Sequence, residues 1–270
     1  MAQVEVSAKD VMKLRQKTGL SMMECKKALS EAGGDQDAAE ELLRKKLKGK
    51  METRTDRAAG EGRIGTAIDG DKAAIVEIRA ETDFTAKNEK FVEMTQSIAA
   101  AAKDAATGDV ALPESAAGTI DEIRITTGEN ISYARGKSLQ GGNFASYVHH
   151  DGKTGVLLQA EGDIDPSTLK DICMHIVAAV PVPQGVNPED VPQELVEKER
   201  KFRLEQAMES GKNAEIAEMM VEGGMRKFFE TIALVEQPFV KDPNTKIKDL
   251  VGSKGKLVHF ERWVVGENAE

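Results

Sequence analysis

"GTAIDGDKAAIVEIRA", residues 65–80, and "ASYVHHDGKTGVLLQA", residues 145–160, are two versions of one pattern. Each reads as a strand, a turn containing Asp-Gly, and a second strand, with β-branched and aromatic residues on either side of the turn. A polar connection and a helix-like run follow each copy: "NEKFVEMTQSIAAAAK" after the first, "TLKDICMHIVAAV" after the second. A hairpin covered by a helix is an α+β unit. Its recurrence predicts two related subdomains, each a small antiparallel sheet with helices on one side. Near the C-terminus, "TIALVEQPFV" and "KLVHFERWVV" read as strands that return to complete the second sheet.

Upstream of the repeat, residues 1–49 read as three short helices in a compact bundle. Ser7 with Asp10 resembles a capping box, followed by Val11 and Leu14 at helical spacing, and Gly19 stops that helix. Ser21 with Glu24 opens the second, whose inward face is Cys25, Ala28, Leu29 and Ala32. Gly33-Gly34 ends it. Asp35 then caps the third, with Ala38, Ala39, Leu42 and Leu43 on its apolar side. "KGKMETRTDRAAGEGR", residues 48–63, is charged, small and polar apart from one methionine, and reads as a linker. Downstream of the repeat, "PEDVPQELVEKERKFRLEQAMES" and "NAEIAEMMVEGGMRKFF" are charged helical runs joined at Gly211. Their sparse apolar positions (Leu195, Phe202 and Met208; Ile216 and Met220) fit an antiparallel helical hairpin rather than helices buried on two sides. The expected division is a bundle over 1–50, a linker over 51–63, a first subdomain over 64–143 and a second over 144–270, with the hairpin inserted at about 188–229.

A chain of 270 residues, 40% hydrophobic and 31% charged, can build a proper core. Its net charge of −9 argues against broad nucleic-acid binding, which needs a basic face, and the one basic run is "RKKLKGK", residues 44–50. Direct nucleic-acid binding is therefore not expected. Cys25 and Cys173 read as buried free thiols of a reducing compartment. The N-terminus has no apolar signal core, and no stretch approaches the roughly 20 apolar residues of a membrane span. A cytoplasmic protein is expected.

No enzymatic constellation emerges, and neither a cofactor nor a metal site is expected. "GKS" at 136–138 lacks the glycine a phosphate loop needs five residues earlier, where Ile131 stands. His149 and His150, read on a strand, face opposite ways. His175 reads as a hydrogen-bonded structural histidine, and His259 has no partner in view. Met22 and Met23 open the second helix. Adjacent helical residues cannot both face one core, so one of them is exposed and suited to a binding surface, or else one staples the helix end and the other is tolerated. Phe84, beside Asp83 in "AETDFTAKNEKF" (residues 80–91), also has two readings. It packs back on Phe91 or Val92, or it is an anchor offered to a partner's pocket.

At "LRQKTGLSMMECKKAL" (14–29) and "EIRAETDFTAKN" (77–88) the sequence resembles the elongation factor Ts family, bacterial guanine-nucleotide exchange factors for elongation factor Tu. "GENI" at 128–131, "SYVHHDGKTGVLL", the charged hairpin and "QPFV" extend the resemblance over essentially the whole chain. It implies a ubiquitin-associated-like N-terminal domain, two core subdomains and a coiled-coil hairpin through which two copies could pair. The implied partner is elongation factor Tu, GDP-bound and nucleotide-free. The family's Asp-Phe pair, which inserts near that partner's Mg²⁺ and nucleotide site, matches Asp83 and Phe84. The paired methionines match Met22 and Met23, and the interface histidine matches His149. Thr85 departs from the family's usual valine, "RAE" stands before Thr82, and the sequence stops without the C-terminal helical extension some members carry.

Overall fold

The computed structural model describes residues 6–52, 57–209 and 214–267. It is α+β: three helices, then two sheet-containing units, the second carrying a helical hairpin. Helices α1 (Ala8–Thr18), α2 (Met22–Glu31) and α3 (Gln36–Glu52) form the N-terminal bundle. Gly19 closes α1 in the left-handed region at φ 71°, where a Cβ would be strained. The Ser21–Glu24 pair is a complete capping box, and Ser7 caps α1 by accepting from the Asp10 N–H. Val11, Leu14, Leu20, Cys25, Ala28, Leu29, Ala39 and Leu43 form the bundle core. Ala38 lies on the exposed side of α3, one position off the buried stripe.

The first unit is β1 (Glu61–Asp69), β2 (Lys72–Ala80), α4 (Asp83–Lys87), α5 (Glu89–Ala102), β3 (Gly108–Asp109), α6 (Glu114–Thr127) and β4 (Ser132–Gln140). The second is β5 (Asn143–Val148), β6 (Thr154–Gly162) and α7 (Pro166–Ala178), then the hairpin α8 (Gln193–Glu209) and α9 (Ala214–Ile232). It ends with β7 (Pro238–Phe239), β8 (Asp242–Lys246), α10 (Ile247–Val251) and β9 (Gly255–Val264). Strand order is β1-β2-β4-β3 in one sheet and β5-β6-β9 in the other, antiparallel throughout. "KLVHFERWVV" thus completes the second sheet as expected, but "TIALVEQPFV" does not. Its first residues finish α9, and Pro238 and Phe239 pair only with β8 in a separate ribbon. Pro238 has no N–H to give a ladder, which confines it to such an edge.

The repeat runs deeper than the quoted stretches. β4 and β9 return onto the second strand of their hairpins in the same sense, and each pairing breaks register once, at Glu77/Ile78 and at Gln159/Ala160. The β1–β2 loop is Gly70-Asp71, closed by Asp69 opposite Lys72, whereas the β5–β6 turn spans the longer stretch from His149 to Lys153. Thr66 and Ser146, the second residues of the two stretches, hydrogen-bond each other at 3.1 Å.

The two sheets pack face to face through Ile64, Ala73, Ile75, Leu139, Leu157 and Trp263. Their outer faces are covered by α5 and α6 on one side and α7 on the other. Both faces of β2 are therefore dry, which is why "AAIVEI" is nearly continuous rather than alternating. In the hairpin, Ala207, Ala217, Val221 and Met225 make the seam, with Val196, Phe228 and Phe229 packed beside them. The sparse apolar positions read from the sequence, Leu195, Phe202, Met208, Ile216 and Met220, are all exposed. The join at Gly211 lies outside the described residues.

Candidate functional site: an exposed ring on a clamped turn

Residues 83–87 form a single helical turn, α4, rather than an irregular connection. Thr82 caps it from an extended conformation, its hydroxyl oxygen accepting the Thr85 N–H at 3.3 Å. Thr85 and Ala86 are buried beneath the turn. Phe84 points the other way and is 84% exposed, so the reading in which it packs on Phe91 or Val92 is excluded. Phe91 is itself fully buried against the first sheet. A ring cannot reach the core from the outer side of a turn whose inner side is already filled.

Asp83, beside the ring, accepts from Lys87 one helical turn on at 2.6 Å. That bond, and to a smaller degree the charges of Lys87 and Lys153, hold its carboxyl below the usual carboxylate range. Lys153 belongs to the β5–β6 turn. It pairs with Glu61 at 2.6 Å, and Gly152 of the same turn accepts the Ile64 N–H at 2.9 Å. Gly152 takes φ 76°, in the left-handed region where a Cβ would be strained, so the turn favours glycine there. The turn that carries His149 is thereby fastened to β1, near α4. His149 meets the Tyr147 hydroxyl at 3.2 Å through Nδ1. Its ring lies 4.3 Å from that of His150. The two histidines occupy the turn and not the strand, so they sit side by side instead of on opposite faces.

Met22 and Met23 are both exposed, at 40% and 76%. Neither staples the helix end, where the buried residues at the N′ and N4 positions are Leu20 and Cys25. Among the described residues the two methionines share no hydrogen bond or ion pair with α4. The bundle rests on α6, where Ile125 packs against its core and Arg44 pairs with Glu122 at 2.5 Å. In the basic run, Arg44, Lys45 and Lys46 are each paired, with Glu122, Glu41 and Glu31. The side chains of residues 47–50 lie outside the described set.

The remaining candidates are structural. "GKS" lies inside β4. His175 is buried, its Nε2 meeting the Gln237 amide oxygen at 3.0 Å while Nδ1 accepts the Val240 N–H at 3.3 Å, and burial depresses its pKa. His259 does have a partner, Glu261, at 2.7 Å. Cys25 and Cys173 are buried free thiols, and burial pushes the Cys173 thiol up to about 12. A cleft of about 410 Å³ opens beside β9, lined in part by His259, Glu261, Arg262 and Asp190, and α4 supplies none of its walls. No group of three or more potential metal ligands occurs among the described residues, and no described helix is long and apolar enough to cross a membrane.

The arrangement projects a ring outward with a paired carboxylate beside it. The family model for elongation factor TS matches residues 81–267. Proteins called elongation factor Ts are similar along nearly their whole length. That of Methylococcus capsulatus is 43% identical over 282 residues, covering 99% of this chain and 94% of its own. That of Thioalkalivibrio sulfidiphilus is 41% identical over 277 residues, covering 98% and 94%, and that of Nitrosomonas eutropha is 42% identical over 278 residues, covering 98% and 93%. The chain is one of the translation elongation factors, and it belongs to the elongation factor Ts family.

Proposed function

We propose that this chain binds elongation factor Tu·GDP and promotes GDP release by wedging Phe84, with Asp83 beside it, near the partner's Mg²⁺ and nucleotide site, with no covalent chemistry of its own. The observation that carries this reading is Phe84 itself, a large ring left 84% in solvent on a turn whose other side is anchored in the core. By linkage, a partner that weakens nucleotide binding is weakened by nucleotide to the same degree, so the wedge must fit the nucleotide-free state better than the GDP state. Met22 and Met23 supply a flexible apolar docking patch on the bundle, and His149 lies on the same interface. The division of labour follows the chain: bundle 1–50 and linker 51–63, then core units 64–143 and 144–270, with the hairpin of about 188–229 as a separate module. The exposed apolar residues of that hairpin support pairing of two copies. The paired basic residues Arg44, Lys45 and Lys46 support the absence of direct nucleic-acid binding, and a translation factor of this kind works in the cytoplasm.

The test is release of fluorescent GDP from elongation factor Tu with and without this chain. Phe84→Ala should slow stimulated release roughly ten-fold, which corresponds to about 1.4 kcal/mol lost on truncating a desolvated aromatic anchor. Wild-type release by that variant would remove the wedge. Alanine at Met22 and Met23 should instead raise the concentration needed for half-maximal stimulation and leave the maximal rate nearly unchanged. A lowered maximum at unchanged half-saturation would refute their docking role.

A further inference from the structure

"GENI", residues 128–131, has no place in the wedge, yet each of its residues is held in a specific way. Gly128 ends α6 in the left-handed region at φ 73° and turns the chain back toward β2. Ile131 is buried in the first unit's core, and its carbonyl accepts from Arg124 at 2.6 Å. Between them, Glu129 and Asn130 lie against Glu81 and Thr82 in a reciprocal grip. Glu129 Oε2 accepts the Thr82 N–H at 3.1 Å, and its Oε1 accepts the Thr82 hydroxyl proton at 2.7 Å. In return, Glu81 Oε1 accepts the Asn130 N–H at 2.6 Å, and the Asn130 side-chain amide donates to the Arg57 carbonyl at 2.7 Å.

The consequence lies in the Thr82 hydroxyl. It has one proton and two lone pairs, so it can donate to Glu129 and still accept the Thr85 N–H. Glu129 therefore sets the direction of the hydroxyl that caps α4. A helix of five residues has no stability of its own, so the aim of Phe84 depends on what holds the ends of its turn. The N-terminal end is held by this carboxylate, delivered from a helix terminus 47 residues away in sequence.

We propose that Glu129 is a positioning residue for Phe84, acting through Thr82 without meeting the partner itself. This rests on the wedge reading above. Exchange is measured for Glu129→Ala, Phe84→Ala and the double variant, as the maximal rate of fluorescent GDP release from elongation factor Tu and the half-saturating concentration, with thermal midpoints alongside. Glu129→Ala should lower the maximal rate about three- to ten-fold, because loosening an anchor's geometry costs rate without removing the docking contacts. In the Phe84→Ala background it should cost nothing further. Thr82→Val should reproduce the loss and Thr82→Ser, which keeps the hydroxyl, should not. If Glu129→Ala gives no cooperative melt, Glu129→Gln, which keeps the shape but removes the charge and one acceptor oxygen, should lower the maximal rate with its melt intact, and wild-type exchange by it overturns the proposal.

Three further results overturn the proposal. Glu129→Ala exchanging like wild type while Phe84→Ala is slow removes the positioning role and leaves the wedge intact. Losses that multiply in the double variant show that Glu129 acts through something other than the ring. Wild-type exchange by Phe84→Ala removes the wedge and this proposal with it.

Discussion

Phe84 was legible as an aromatic in a polar stretch, but its direction was not. Sequence shows only that a ring of this size needs a destination, and Phe91, seven residues on, was an available one. The structure excludes that destination, because Phe91 is already enclosed by the sheet while Thr85 and Ala86 fill the space beneath α4. The prediction at this scale has two parts that must hold together. Phe84→Ala slows exchange roughly ten-fold, yet leaves the thermal midpoint near that of wild type, since a ring already in solvent has little burial to lose. A fall of several degrees in calorimetry, with exchange intact, would make Phe84 a packing residue after all. Lys87 could have been found from its i,i+4 spacing to Asp83. Lys153 could not, because it reaches Asp83 from another repeat.

Among the elements, β2 carries the least expected residue. Glu77 lies in a run that is buried on both faces, and its carboxylate is fully enclosed. It accepts from Arg79 at 2.7 Å, from Arg135 at 2.7 Å and from the Gly266 N–H at 3.0 Å, so β2, β4 and the segment after β9 share one charge. Arg135 also lies over the Trp263 ring at 4.4 Å. Glu77→Ala would leave two guanidinium groups without their counter-charge in a largely dry interface. We expect a loss of about 3 kcal/mol in urea unfolding, toward the lower end for breaking a buried pair because Arg135 keeps some water contact. A change within about 0.5 kcal/mol, as at an ordinary surface site, would show that the network contributes little. The helices tell the complementary story. Caps at Ser7 and Ser21 and the stop at Gly19 stand where local spacing places them, because capping is settled within four residues. The hairpin seam was left open by the sequence, because sparse apolar residues on a charged helix do not say which side meets the neighbour.

At the scale of the whole molecule, the two sheets are tied by polar contacts as well as by their shared apolar layer, and one such tie titrates. Burial opposes ionisation of Glu261 on β9. Hydrogen bonds from His259, Lys137 of β4 and the Trp263 indole N–H outweigh it and bring the carboxyl down from 4.5 to about 2. The folded value is the lower one, so the stabilisation is full above pH 4.5 and is lost as the pH falls toward 2. Acid unfolding of Glu261→Gln should accordingly be shallower than that of wild type across this window, with a difference between its ends on the order of 3 kcal/mol. Parallel acid curves would show that the carboxylate contributes nothing to joining the sheets.

The sequence by itself determined what depends on neighbours along the chain. The three capped helices and the duplicated hairpin rest on periodicity and turn chemistry, whose physics is complete within a few residues, while the Asp-Phe and Met-Met signatures were legible through the family resemblance. Tertiary structure alone decided which side of each element is covered. It set the face-to-face layer between repeats, the enclosure of Glu77, and the inner face of the hairpin. It also brought Glu129 to Thr82, the cap of α4. Those outcomes turn on which distant segment excludes water from a given face, and that is a property of the assembled chain rather than of any stretch within it.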